Sequence, residues 1–464
     1  MLKSFFAEKE IKTRLSRMHE TDPHIFDLLL EKIEFNKYLR FKKTIRQLQR
    51  KILAMGIKEY LKDLSSKDII NSPSNKKKVI FVTGLSTFNL VGISIYLRKT
   101  GEYETILITE NPWLVNFFGR YFDYVYVYNS YYDVCCILIA SKPYIVHVQG
   151  ALQHYFLGIM AKCLSSACII IGLNDIPSLI ELSAENREKL WRISNDAQLD
   201  YFSEEFLFRN ADGIILTMNT CVAGDKLRLR YESTVPLLEF PTYVCDEFVK
   251  EEEKYSQKDG KIHLVYGGIV APSDKPRELF GDNQFIALAK KLINQGLCFH
   301  MYPSPHCSPF QIKKLYSDYI QLAAETPNFT FKQGLSQDKA IKEFSRYDFA
   351  TMISIFDGMK LNRFHWNTSI PSKFFTYLSA GLPVIVSEEH GNISALVRKY
   401  ECGIVVNQKG LDNLFDIIKQ YDYEKLKANV NRAREELSMK KHIGRLIEFY
   451  DQVYATKTLK HEAR

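Results

Sequence analysis

Thr368 to Val406 reads T-S-I-P-S-K-F-F-T-Y-L-S-A-G-L-P-V-I-V-S-E-E-H-G-N-I-S-A-L-V-R-K-Y-E-C-G-I-V-V. This pattern predicts a loop, a short helix, a glycine turn, a buried strand, a second loop, a second helix and a second strand. Pro371 suits the first turn of a helix, where a missing N–H costs nothing, and Gly381 suits the position just past its end. Pro383, Val384, Ile385 and Val386 form a short apolar run of the kind a parallel strand shows when both its faces are covered. Ser369, Ser372 and Lys373 surround the helix start, where free N–H groups and the positive end of the helix dipole favour a phosphate. The bland alternative is an ordinary strand–helix unit with a surface lysine.

Working outward, the alternation of strands and helices continues on the N-terminal side. From Lys77 to Gly84 a strand ends in glycine, and further strands are expected at Glu104–Thr109, Tyr124–Tyr128, Tyr144–Val148, Ala167–Gly172 and Gly213–Thr217. That rhythm predicts a doubly wound parallel sheet, whose ligands bind beyond the carboxyl ends of the strands. A charged stretch between Asp246 and Lys261 reads as a linker. A second series then opens with His263 to Gly268, a strand running into paired glycines. Gly267 and Gly268 would let the backbone approach a phosphate closely, because no Cβ intervenes. Helix Phe285–Leu292, strand Phe299–Tyr302, strand Phe329–Phe331, helix Ala340–Tyr347 and strand Asp348–Ser354 follow. Leu411–Gln420 and Tyr423–Tyr454 read as charged helices.

The chain has 464 residues, 46% of them hydrophobic, enough for two or three cores. Its formal charge of +8 is modest for that length and calls for no nucleic-acid partner. No run of about 18 apolar residues suggests a spanning helix. Residues 1–10 have no apolar segment with a cleavage site, so they do not read as a secretion signal. The nine cysteines are scattered without a C-x-x-C pair, which argues against zinc and for reduced thiols in the cytoplasm. No D-x-D occurs, so no metal site is expected. Residues 1–75 read as a helical, basic extension. Between Asn36 and Ile57, Lys37, Arg40, Lys42, Lys43, Arg46, Arg50 and Lys51 occur without an acid. Residues 25–58 could therefore touch an anionic inner-membrane surface, or could pack on the body with a solvated basic face.

The string P-S-K-F-F-T-Y-L-S-A-G-L-P-V-I-V-S resembles the donor-site signature of GT-B glycosyltransferases of the retaining, family-four type. In that family the lysine and the helix start hold the diphosphate of a nucleotide-sugar, a role that falls here to Lys373 and Ser372. Thr376 stands where the family has a glutamate for the ribose hydroxyls. Thr368 stands where it often has a second glutamate near the sugar. The phrase I-V-H-V-Q-G at 145–150 is similar to the family's I-V-H-x-H, with Gln149 in place of the second histidine and His154 as its possible substitute. His147 on the apolar strand reads as a core histidine sooner than as a ligand. Where this chain has the glycine pair the family has G-R, with a lysine several residues on. Gly268 occupies the arginine's place, which leaves Lys275, with Arg277 behind it, as cations for the departing diphosphate. The family's F-x-G phrase, whose loop contacts the base, maps to Gln333, Gly334 and Leu335.

The resemblance implies an α/β fold with two Rossmann-like doubly wound domains (GT-B) after the helical extension. The expected division is 76–246 for the acceptor domain, 262–420 for the donor domain and 421–464 for helices that cross back to the first. It implies a metal-independent, retaining transfer without a cofactor, from a UDP- or GDP-linked sugar to a glycan, lipid-linked or protein acceptor. The enzyme would be a cytoplasmic hexosyltransferase, with possible membrane association. Two other readings stay open: a degenerate GT-B module that binds a partner or glycan, and a GT-B-like sugar-nucleotide epimerase.

Overall fold

The computed structural model describes residues 2–33, 74–84, 88–110, 119–128, 130–151, 154–180, 194–305, 307, 309–359 and 363–462. The basic stretch 36–57 lies outside them. Helix Pro23–Ile33, which precedes that stretch, buries Ile25, Leu28, Leu29 and Ile33, so the described part of 25–58 turns its apolar face inward. Among the described residues no helix is long and apolar enough to cross a membrane.

The chain divides into two compact units. Residues 1–179, 183–240 and 443–464 make the first, and residues 241–442 make nearly all of the second. In the first unit seven parallel strands lie in the order β3-β2-β1-β4-β5-β6-β7. They are β1 (Lys77–Thr83), β2 (Tyr103–Thr109), β3 (Tyr124–Val127), β4 (Ile145–Gly150), β5 (Cys168–Leu173), β6 (Gly213–Leu216) and β7 (Leu237–Glu239). In the second, six parallel strands lie in the order β10-β9-β8-β11-β12-β13. These are β8 (His263–Gly268), β9 (Cys298–Pro303), β10 (Phe329–Phe331), β11 (Phe349–Met352), β12 (Val384–Ser387) and β13 (Gly403–Val406).

Both sheets are doubly wound. Each chain segment builds outward from its first strand to one side, then returns and builds to the other. The order therefore reverses between β1 and β4 in one unit and between β8 and β11 in the other, and crevices at such points take ligands. Helices cover both faces, which is why β2, β4, β5 and β12 are buried along their whole lengths and read as apolar runs rather than alternations.

The stretch 246–261, which composition marks as a linker, is built into the second unit. Lys254 Nζ donates to Tyr347 O at 2.7 Å, Ser256 Oγ donates to Asp348 Oδ1 at 2.5 Å, and Glu252 pairs with Arg346 at 3.3 Å. Charge alone did not expose it, because its partners are distant in sequence. The helical span expected from Tyr423 to Tyr454 is broken into Tyr423–Glu436 and Met439–Glu462. Val244 causes the break. Its N–H donates to Leu437 O at 2.9 Å and its carbonyl accepts from Met439 N at 2.7 Å, taking backbone groups that a continuous helix would use.

From Ile443 onward the last helix packs within the first unit. Tyr450 Oη lies 2.6 Å from His147 Nδ1, Asp451 accepts from Lys77 at 2.9 Å and from Tyr144, and Lys457 reaches Asp212 at 3.1 Å. His147 is a core histidine. Burial pushes its pKa down to about 3, so it is neutral in the folded chain.

Candidate functional site

At the carboxyl ends of β8, β11 and β12 the sequence brings a glycine pair, a cation and an uncapped helix start together. Gly267 is required because a Cβ there would fall 2.4 Å from Phe344 Cζ. Gly268 has φ +155°, a conformation side chains rarely adopt, and a Cβ on it would sit 3.1 Å from Tyr266 Oη and 3.8 Å from Lys373 Nζ. Tyr377 clamps the pair from the neighbouring helix: its hydroxyl accepts from Gly267 N at 3.1 Å and lies 3.3 Å from Gly267 O.

That helix spans Ser372–Ser379. Pro371 occupies its N-cap, and no side chain caps it. Gly381 follows its end with φ +70°. Phe374 N donates to Pro371 O at 3.1 Å, and the helix dipole with the N–H groups of Ser372 and Lys373 is what the helix start offers an anion. Lys373 stands in the first turn. Its one hydrogen-bond partner among the described residues is the neutral Tyr266 hydroxyl at 3.5 Å, and its ammonium lies 5.1 Å from the centre of the Tyr266 ring. Burial lowers the lysine pKa, while the carboxylate of Asp282 works against that. Asp282 is itself only 5% exposed, and burial pushes its carboxyl up to about 6 against the pull of Lys373. The lysine is therefore a poorly neutralised cation at a helix start.

The other expected donor residues fall around this point in different ways. Thr368 and Thr376 are buried, and each hydroxyl donates to a carbonyl one helical turn back, Phe364 O at 2.9 Å and Ser372 O at 3.3 Å. Ser369 and Ser372 are half-buried, with Ser369 N bonded to His365 O at 2.9 Å. Arg277 is tied to the loop after β11, donating to Ile355 O at 3.4 Å. Lys275 lies in the loop just before the short helix Arg277–Phe280, and its carbonyl accepts from Gln284 Nε2 at 2.8 Å. Gln333, Gly334 and Leu335 follow the edge strand β10. Gln333 Nε2 donates to Cys307 O at 2.6 Å, and a Cβ on Gly334 would meet Pro303 O at 2.2 Å, so the two loops pack backbone to backbone.

In the first unit, His154 comes to the corresponding reversal point. A Cβ on Gly84 would fall 1.9 Å from His154 Cδ2, so the glycine at the end of β1 makes room for the ring. His154 Nε2 lies 3.7 Å from Glu110 Oε2, and Tyr131 Oη donates to that carboxylate at 3.0 Å. Gln149 is 3% exposed and donates to Gly172 O at 3.1 Å, which commits its amide to the neighbouring strand.

Sequence reading missed Tyr266, Asp282, Glu389 and His390. Tyr266 carried a usable signal, an aromatic residue directly before the glycine pair. Asp282 had none, since only folding brings it to Lys373. Among the described residues one group has metal-ligand chemistry: Asp259, His263 and Cys298, whose ligand atoms lie within 4.8 Å of one another. It sits at the opposite, amino ends of β8 and β9 and is separate from the Lys373 site.

A family model described as the C-terminal domain of glucosyltransferase 3-like proteins matches residues 309–448. No curated protein sequence matches the chain. Among solved structures, Anabaena HepE in complex with UDP is similar over 81% of this chain and all of its own, at 12% identity and a TM-score of 0.54. Thermobaculum terrenum O-GlcNAc transferase is similar over 99% of this chain and 83% of its own, at 14% identity and a TM-score of 0.48. Together with the two doubly wound sheets, the likeness to HepE shows the GT-B fold.

Proposed function

We propose that this chain is a glycosyltransferase that takes its sugar from a nucleotide-diphosphate donor. The donor diphosphate lies on Lys373 and the start of helix Ser372–Ser379, beside Gly267 and Gly268. One observation carries this reading: a partly desolvated ammonium whose hydrogen-bond partner is a neutral hydroxyl, set at an uncapped helix terminus next to backbone without side chains. A bound diphosphate would supply charged hydrogen-bond acceptors that Asp282, acting only at a distance, does not. The glucosyltransferase-like family model over 309–448 and the UDP held by HepE support a nucleotide-sugar, with uridine as the first base to test.

Breaking the bond between sugar and diphosphate builds negative charge on the leaving oxygen. Fixed dipoles and a cation aimed there stabilise that charge without reorganising. In this reading Lys373 and the helix N–H groups do that work, with Lys275 and Arg277 as further cations, and no metal takes part. Transfer of a hexose with retention, to a glycan, lipid-linked or protein acceptor, extends the same reading. His154, beside Glu110, is the first-unit residue to test for acceptor handling.

A non-catalytic module is the second reading. It draws on Thr368 and Thr376, whose hydroxyls are bonded inside their own helices rather than left for a ligand. Calorimetric titration with UDP, GDP and their sugar derivatives, on the wild type and Lys373→Ala, separates the two. Binding of a diphospho-sugar that the substitution abolishes is the expected outcome. A folded wild type that binds nothing in the panel would leave only the module.

A further inference from the structure

The segment leaving β12 carries two buried polar atoms that have no partner among the described residues. Glu389 is held by one oxygen: Gln408 Nε2 donates to its Oε1 at 3.2 Å and to Ser354 O at 3.0 Å, which fixes the carboxylate. Its other oxygen, Oε2, is buried and has no partner among the described residues. His390 follows. It is 5% exposed, its Nδ1 is buried, and neither ring nitrogen has a hydrogen-bond partner among the described residues. Native chains rarely leave such atoms unpaired, and two on consecutive residues at the carboxyl end of a central strand call for a ligand.

The surroundings say which ligand. The His390 ring lies 5.4 Å from Trp366 and 5.7 Å from Phe356, edge-on to both. Trp366 is half-buried, so part of its ring is open to a partner. Burial, with a smaller contribution from the charges of Lys373 and His365, holds the His390 pKa down at about 3, so the ring is neutral. A neutral imidazole offers one donor and one acceptor, and a fixed carboxylate offers acceptors; together they suit hydroxyl groups, not a phosphate. An aromatic face beside them suits the C–H face of a sugar ring.

The segment also adjoins the place where the resemblance expects a carboxylate. Asn392 Nδ2 donates to Thr368 O at 3.1 Å, and a Cβ on Gly391 would meet Asn367 Oδ1 at 3.0 Å. Glu389 and His390 therefore lie against the end of helix Arg363–Thr368, where Thr368 supplies no acid. We propose that Glu389 and His390 read the hydroxyl groups of the transferred sugar, with Trp366 as its packing face. The assignment rests on the donor-site reading and deepens it: the carboxylate absent at Thr368 enters from the next loop.

The test uses the full chain and measures affinity for UDP, UDP-glucose, UDP-galactose, UDP-N-acetylglucosamine, GDP and GDP-mannose. The variants are Glu389→Gln, which is nearly isosteric, His390→Phe and Trp366→Leu, each checked for unchanged thermal unfolding. The expected result is diphosphate affinity within about twofold of wild type and a loss of about tenfold or more on the sugar nucleotide that the wild type prefers. Equal losses on diphosphate and sugar nucleotide, or no loss on either, would overturn the assignment while leaving the Lys373 site standing. A wild type that binds none of the six overturns the donor site, and this assignment with it.

Discussion

The two sheets reverse strand order in the same way, and buried polar groups in the two units are treated differently. In the first unit they are mostly bonded within the protein, although His147 Nε2 is buried without a partner among the described residues. Gln149 donates to Gly172 O, His147 meets Tyr450, and Asp212 gathers Lys162 at 2.6 Å, Lys457 at 3.1 Å and the N–H of Ile169 at 2.8 Å. In the second, Lys373 faces a neutral hydroxyl, and Glu389 and His390 hold unpaired buried atoms. Buried polar groups cost stability unless paired. The first arrangement is largely self-satisfied, and the second fits the proposed site, where a ligand would complete it. Substitutions in the two places should separate accordingly, one set changing stability and the other changing binding.

The largest effect is expected at Lys373. Lys373→Ala should lower turnover of the donor by about a thousandfold, in the range found when one group stabilising a developing charge is removed. Stability should hold or rise slightly, because the desolvated ammonium is gone. Kinetics of donor consumption and a urea melt on the same preparation check both halves.

Asp212→Ala should do the reverse. Burial raises the Asp212 pKa, but Lys162 and Lys457 overcome that and hold it below the usual carboxylate range. Removing the carboxylate strands two largely covered lysines and should cost about 3 kcal/mol of unfolding free energy. Donor affinity in the surviving folded protein should stay within about twofold of wild type. A large change in affinity would mean the two regions are not as separate as their bonding suggests.

The third effect is a pH dependence. Burial lowers His147, His300 and His390 each to about 3, while in the unfolded chain they titrate near ~6.5. The unfolded state therefore binds more protons below that value, and stability present at neutral pH is lost as pH falls. Each histidine contributes about 1.4 kcal/mol per pH unit within that window. His147→Phe should make the fall in unfolding free energy between pH 6.5 and 5 shallower by about 2 kcal/mol. Denaturant melts across that range measure it, and an unchanged slope would mean the ring is already charged in the fold.

Much of this was legible in the sequence. The buried runs of β1, β4, β5 and β12, and the glycines at strand ends, are local features, and they gave the doubly wound units and the Lys373 helix. Val244 splitting the last two helices was not legible, because a single backbone bridge from a residue far away in sequence leaves no periodicity. The packing of 246–261 was missed for the same reason, as Lys254 and Ser256 find their partners only after β11 is in place. At the site, motif spacing located Lys373 and Gly268 but not Asp282 or the Glu389–His390 pair. Asp282 matters through a neighbour that only folding supplies, and Glu389 and His390 through unpaired atoms that only coordinates reveal.

The smallest effect sharpens the comparison most, because it asks what holds Lys373 ready. Tyr266 does two things there: its ring lies under the ammonium at 5.1 Å, and its hydroxyl lies 3.5 Å from Nζ while donating to Ile269 O at 2.7 Å. Tyr266→Phe keeps the ring and removes the hydroxyl, so the cation–π contact stays and the weaker polar one goes. The loss should be about 1 kcal/mol, or roughly fivefold in donor affinity, with a similar small loss of stability from the Ile269 bond. Tyr266→Leu removes the ring as well and should lower affinity by about a further 1 kcal/mol. If Tyr266→Phe binds donor as tightly as wild type while Tyr266→Leu does not, the ring alone positions the lysine. If both bind as wild type, the helix start is sufficient and Tyr266 belongs with the self-bonded groups of the first unit.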